Sequence, residues 1–308
     1  MNEPTKPSLL DTDGKPLQNN HDAPPPTERT KEREKEEDTF VSVIVKRSDA
    51  AMRHPDDTLE KAITEGTEQL KRKAVSLWLS SVAGGMIVGF SAMAVAVMTT
   101  LTLPLDNPLL TRLSQALVYP TGFIICIMGG AQLFTEHTAT AIYPILDRRH
   151  SIYRLLRLWT IVIAGNLIGA GIIATLLFKV DTVVGAREGY ILIGKHLTEY
   201  EFGPLFLSAI LAGWLMALGA WLVLATAPDS SQIFVVYIVT FLIGLGGLHH
   251  SIAGSAEMFT AWFIGDKRTP DEVFSFIATA LAGNMVGGSI FVGVLNYAHI
   301  RHTQVSEE

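Results

Sequence analysis

The chain is 308 residues long and 48% hydrophobic, with a positive mean hydropathy and a formal net charge of −6. Residues 1–58 hold nine Lys/Arg and thirteen Asp/Glu, so most of the negative charge sits in the amino-terminal tail and a basic nucleic-acid-binding surface is excluded. One cysteine, Cys126, excludes a disulfide framework, and the composition is that of an integral membrane protein with polar ends.

Residues 1–57 read as a charged tail. Its first 38 residues, ending in KEREKEED, bury too little to offset the entropy of ordering and are predicted to be disordered. Phe40–Val45 (FVSVIV) is a short β-prone run within it. No secretory signal peptide is read at the start, so the first span is expected to act as its own signal-anchor. Asp57 and Glu60 then mark a helix start, and Leu59, Ala62, Ile63, Gly66 and Leu70 keep helical spacing. This predicts an amphipathic surface helix over 58–73, lying on the membrane or packing on a neighbouring subunit.

Six spans follow within 74–299, at about 75–101, 113–146, 155–178, 205–226, 233–264 and 273–298. Lys71, Arg72, Lys73, Arg148, Arg149, Arg154 and Arg157 crowd one face; Arg112, Lys179, Arg187, Lys195, Lys267 and Arg268 are spread over longer loops on the other. That bias predicts both termini, including the short tail 300–308, in the cytoplasm. The loop Lys179–Pro204, with Lys195, His196 and Glu199, reads as an outer vestibule or as a solvated connector.

The second and fifth spans are interrupted. In Phe241–Phe263 (FLIGLGGLHHSIAGSAEMFTAWF) the middle holds Gly246, Gly247, His249 and His250. Irregular backbone at membrane depth survives only where protein or a watery cavity surrounds it. Two half-helices meeting at a break, with His249 or His250 facing a pathway, is therefore preferred over an unbroken helix with both rings packed. Tyr119–Leu146 breaks likewise at Gly129-Gly130 and Thr135-Glu136-His137-Thr138. After each break comes a helix with a common core, Asn166-Leu-Ile-Gly169 and Asn284-Met-Val-Gly287. Corresponding interrupted segments in two halves predict a 3+3 inverted repeat with its site near the midplane.

Leu133-Phe134-Thr135, His250-Ser251-Ile252-Ala253 and the two Asn–Gly helices, in six spans of this order, resemble the formate/nitrite transporter family, and within it the YfdC-like inner-membrane branch. The resemblance implies an all-α, aquaporin-like subunit in the bacterial inner membrane, five of which form a ring with one pore each. It implies transport of small monovalent weak-acid anions such as formate, nitrite, hydrosulfide or acetate. Thr135 takes the place of the family's pore threonine and His250 that of its central histidine. Tyr119 and Phe123 fall on the inner constriction, Ile243 on the outer one, and Lys195 stands for the vestibule lysine. Where the family has an acid before the pore histidine this chain has His249, and Glu136 beside Thr135 is the candidate replacement. Asn166 and Asn284 complete the expected pathway set.

A naked anion at mid-membrane is costly, so apolar constrictions favour the neutral acid, with protons as co-substrate. His250 is the expected group to donate a hydrogen bond or a proton. No cofactor is implied, and His137, His249, His250 and Glu136 are not read as a metal site, since adjacent histidines rarely chelate one ion. Neither the helical H-E-x-x-H of a metalloprotease nor the Asn-Pro-Ala of a water channel is present. A channel for small neutral solutes and a non-transporting membrane scaffold remain as rival readings.

Overall fold

A computed structural model describes residues 53–226, 229–265 and 267–305; the amino-terminal tail with Phe40–Val45 lies outside them. Every regular element among the described residues is helical. Helix α1, Pro55–Lys71, opens with proline at its first position and Asp56 and Asp57 in its first turn, as a helix amino terminus prefers. Its predicted apolar face is the buried one, but the helix does not rest on lipid there. Leu59, Ala62 and Ile63 pack with Ala139, Tyr143, Ala217 and Val292 of the same chain.

Helix α2, Ala74–Thr102, is the first span. The second is built of α3, Pro108–Val118, and α4, Pro120–Met128, and continues after the break in α5, Phe134–Thr140, and α6, Tyr143–Leu146. Pro120 separates α3 from α4, as a residue without an N–H does. Ser91 of α2 braces that junction: its hydroxyl donates to the Tyr119 carbonyl at 2.6 Å and accepts from the Gly122 N–H at 2.9 Å. Helix α7, Ile152–Lys179, ends the first half.

After the one-turn α8, Asp181–Val184, the segment read as a vestibule or solvated connector forms a further helix, α9, Arg187–Thr198. Its Tyr190, Ile193 and Leu197 are buried. The second half runs α10, Phe202–Ala225; α11, Asp229–Gly246; α12, Ser251–Ile264; and α13, Pro270–Val286. A π-helical stretch, Gly287–Val294, leads from α13 into α14, Leu295–Val305. Thr269 and Glu272 form a capping box at the start of α13.

Among the described residues, five helical segments are long and apolar enough to cross a bilayer, and α11 with α12, bent by 53°, makes a sixth. Large apolar side chains such as Val75, Leu79, Leu109, Leu207, Phe234 and Phe274 are exposed on their outer faces, where lipid or another subunit would cover them. The halves match in packing: Gly85 of α2 lies against the backbone of Asn166, and Gly213 of α10 against that of Asn284. A Cβ at either glycine would collide with backbone, so these two contacts require glycine. The molecule is an all-α membrane protein of six spans, arranged as an aquaporin-like 3+3 inverted repeat with the second and fifth broken.

Candidate functional site

Each break exposes backbone groups that lipid cannot satisfy, and an asparagine takes them. Asn166 Oδ1 accepts the Phe134 N–H at 2.9 Å, while its Nδ2 donates to the Ser81 and Gln132 carbonyls at 2.7 and 2.8 Å. Asn284 Oδ1 accepts the Ser251 N–H at 2.7 Å, and its Nδ2 donates to the Ala209 and His249 carbonyls at 2.7 and 3.0 Å. Both side chains are fully buried. The amide oxygen and one amide N–H satisfy an N–H and a carbonyl of each break, and the second amide N–H ties the break to a carbonyl of a neighbouring helix, α2 or α10. Asn166 and Asn284, expected on the pathway, are brackets that pin the two breaks.

The brackets bring Thr135 and His250 together. Thr135 Oγ1 lies 2.8 Å from His250 Nε2. His250 is also the N-cap of α12, its Nδ1 accepting the Ala253 N–H at 3.1 Å. A ring nitrogen that accepts an N–H carries no proton, so the proton sits on Nε2 and the ring donates to Thr135. Phe123 meets His250 edge to face, with ring centroids 5.0 Å apart, and Tyr119 leans on Phe123 at 5.1 Å. Thr135, His250 and Phe123 are all closed to solvent.

A cavity of about 280 Å³ reaches His250 from the end of the molecule that carries α9. Its lining includes Arg112, Gln115, Tyr119, His196, Ile243 and Glu257. Tyr119 and Ile243, expected on opposite sides of His250, therefore face one cavity. The end of α11 leaves carbonyls without helical partners, and cationic or N–H groups take them. Arg112 Nε donates to the Leu245 carbonyl at 2.8 Å, and His196 Nε2 lies 3.3 Å from that of Gly247. Gly247 has a φ of 59°, and a Cβ there would run into the Arg112 guanidinium. At the mouth, His196 lies 3.1 Å from Glu199, and this hydrogen bond holds the Glu199 carboxyl below the usual range. Lys195 is exposed and is not among the residues lining the cavity, whereas Arg112 is.

A second cavity, of about 250 Å³, opens at the α1 end between Lys61, Glu65, Glu136, His137, Thr140 and Gln232. Burial raises the Glu65 carboxyl above its ordinary range, with Lys61 opposing. Glu136 belongs to this cavity, and its Oε2 has no hydrogen-bond partner. His249 turns the other way: its Nδ1 lies 2.8 Å from the Ser208 hydroxyl and its ring stacks on His196. Glu136 lines the α1-end cavity, whereas His249 turns toward Ser208 and His196. Among the described residues no three His, Cys, Asp or Glu side chains are placed to hold a metal ion.

Two lining residues escaped the sequence reading. Arg112 reaches the second break from 133 residues away, which no local pattern announces. Glu257 does carry a local signal: it is a lone acid inside a span-length apolar run.

Residues 56–298 match the model of a family described as formate/nitrite transporter. The chain is 32% identical over 245 residues to the inner membrane protein YfdC of Escherichia coli, covering 77% of this chain and 76% of that one. It is 24% identical over 266 residues to a probable formate transporter of Methanothermobacter thermautotrophicus, covering 80% and 96%. Among solved structures, an FNT family ion channel superposes with a TM-score of 0.72 at 20% identity, over 79% of this chain and 99% of that one. A pentameric formate channel with formate bound gives 0.63 at 20% identity, over 74% and 98%. With a six-span fold, two bracketed breaks and a family match over most of its length, this chain is a multi-pass membrane protein that belongs to the formate/nitrite transporter family.

Proposed function

We propose that the protein conducts small monovalent weak-acid anions, of the formate and nitrite kind, across the bacterial inner membrane as the neutral acid. The observation that carries this reading is the His250–Thr135 contact at 2.8 Å, held where the two breaks meet. The cavity at the α9 end and the cavity at the α1 end are read as two halves of one pathway, interrupted by this pair and Phe123. Arg112 at the α9 mouth attracts the anion. The N-terminus of α12 adds a positive dipole end aimed at the crossing. Bare charge does not cross the apolar ring of Phe123 and Ile243 cheaply, so the anion takes a proton before passing.

His250 acts as a hydrogen-bond donor rather than a proton source. Its Nδ1 is committed to the Ala253 N–H, and protonating that nitrogen would break the cap. The ring presents Nε2–H, and Thr135, accepting it, can turn its own hydroxyl proton to the substrate. The α1 end and both termini are assigned to the cytoplasm from the Lys/Arg bias. A homopentamer with one pore per subunit follows the assembly of the pentameric formate channel that shares the fold.

A stopped-flow screen of formate, nitrite, hydrosulfide, acetate and lactate into proteoliposomes tests the reading. Uptake of at least one of them is expected, rising as the entry side is acidified, because the neutral fraction grows. Vesicles that pass none at any pH overturn it and favour a membrane scaffold.

A further inference from the structure

The α9-end cavity holds a carboxyl for which the account above has no use. Glu257 lies on α12 two turns beyond His250, is only 5% exposed, and lines the same cavity. Among the described residues it has no hydrogen-bond or ion-pair partner. The titratable and charged groups around it are Tyr119 at the α3–α4 junction, Tyr190 and His196 of α9, Arg112 of α3 and His250 at the head of its own helix. Arg112, the two phenols and His250 are not ready proton sources. Arginine does not give up its proton, a phenol does so only at high pH, and His250 has its Nε2–H on Thr135. His196 is held at the mouth, between Glu199 and the Gly247 carbonyl. The buried Tyr190 hydroxyl has no hydrogen-bond partner, so it offers Glu257 no counter-charge.

We propose that Glu257 is the proton donor that neutralises the substrate on the α9 side of His250, and that it thereby sets the substrate class as monobasic weak acids with the anions of strong acids excluded. This rests on the weak-acid reading above. In the step, the O–H bond of the Glu257 carboxylic acid breaks and an O–H bond forms on the arriving anion. The neutral acid moves on to the Nε2–H of His250, and the Glu257 carboxylate is reprotonated by hydronium entering through the α9 mouth, which leaves as water. One proton from that side accompanies each anion, and no net charge crosses. An anion that cannot hold a proton meets the Glu257 carboxyl and the apolar ring together and stays out.

The test is formate and acetate flux into proteoliposomes of the full chain across a range of external pH, with nitrate as the strong-acid control. Glu257→Gln keeps shape and loses the proton. Its flux should fall about a hundredfold, the low end of what a positioned proton donor contributes, and the residual flux should follow only the fraction of substrate already neutral in bulk. Glu257→Asp should restore the wild-type pH profile at reduced rate, and it carries the test should the glutamine variant fail to assemble. Wild-type rate and pH profile in Glu257→Gln overturn the proposal while leaving the His250 pathway standing. Loss of the pH response in an assembled Glu257→Asp, or nitrate passing the wild type as fast as formate, also overturns it. A wild type that carries no weak acid overturns both.

Discussion

At the first break Asn166 takes one N–H and two carbonyls, and at the second Asn284 takes the equivalent three. Beyond those brackets the halves diverge. The α1-end cavity is polar, with Lys61, Glu65, Glu136 and His137 close together. The α9-end cavity is mostly apolar, with Arg112 and His196 at its mouth and Glu257 on its wall. A repeated scaffold thus carries chemistry that is not repeated. Backbone satisfaction in lipid has few solutions and is met twice in one way, whereas each cavity serves its own face of the membrane.

Removing a bracket should have the largest effect. Asn284→Ala strands the Ser251 N–H and the His249 carbonyl at about 1–3 kcal/mol each and unties the break from α10; Asn166→Ala does the same to the Phe134 N–H and the Gln132 carbonyl beside α2. Both variants should lose most of their assembled, folded protein in thermal unfolding in mild detergent. If one is tolerated and the other is not, the brackets are not equivalent and the comparison fails. Ser91→Ala comes next, because it leaves the Gly122 N–H at the Pro120 junction without its acceptor and takes one donor from the Tyr119 carbonyl. It should lower the unfolding midpoint by less than either bracket variant does, and a drop as large as theirs would make the junction the stronger constraint.

The same brackets show what the sequence could and could not say. The breaks were legible because glycines, histidines and threonines interrupted runs that lipid would otherwise favour. The paired Asn helices were legible as a repeat, but their role was not, since a buried amide holding backbone and one facing substrate look alike in sequence. Helix α9 was hidden because Lys195, His196, Glu199 and Tyr200 gave its end the polarity of a loop, while Tyr190, Ile193 and Leu197 form its buried face. Assignment by loop position chose Lys195, and only the fold brings Arg112 to Gly247. Glu257 lay inside the stretch that drew most attention, overshadowed by the two histidines at the break.

Smaller effects sharpen the contrast between those two cations. Arg112→Gln should slow anion uptake roughly tenfold at low salt, the lower limit for electrostatic focusing at a mouth, and should blunt its salt dependence. Some of that loss will be stability, since the Leu245 carbonyl loses its donor. Comparing rates per folded pore separates the two contributions. Lys195→Gln, on the exposed face of α9, should leave uptake and its salt dependence unchanged. The reverse pattern would move the vestibule cation back to position 195.

On the proposed pathway, substrate crosses at the His250–Thr135 contact and His249 lies outside it. Weak-acid flux in proteoliposomes of His250→Phe and His249→Phe, each normalised to assembled protein, tests it most directly. His250→Phe removes the Nε2–H beside Phe123 and should abolish flux. His249→Phe should retain it within a few-fold, because that ring serves Ser208 and the His196 stack. Normal transport by His250→Phe, with loss in His249→Phe, would contradict the account and rotate the pathway by one residue.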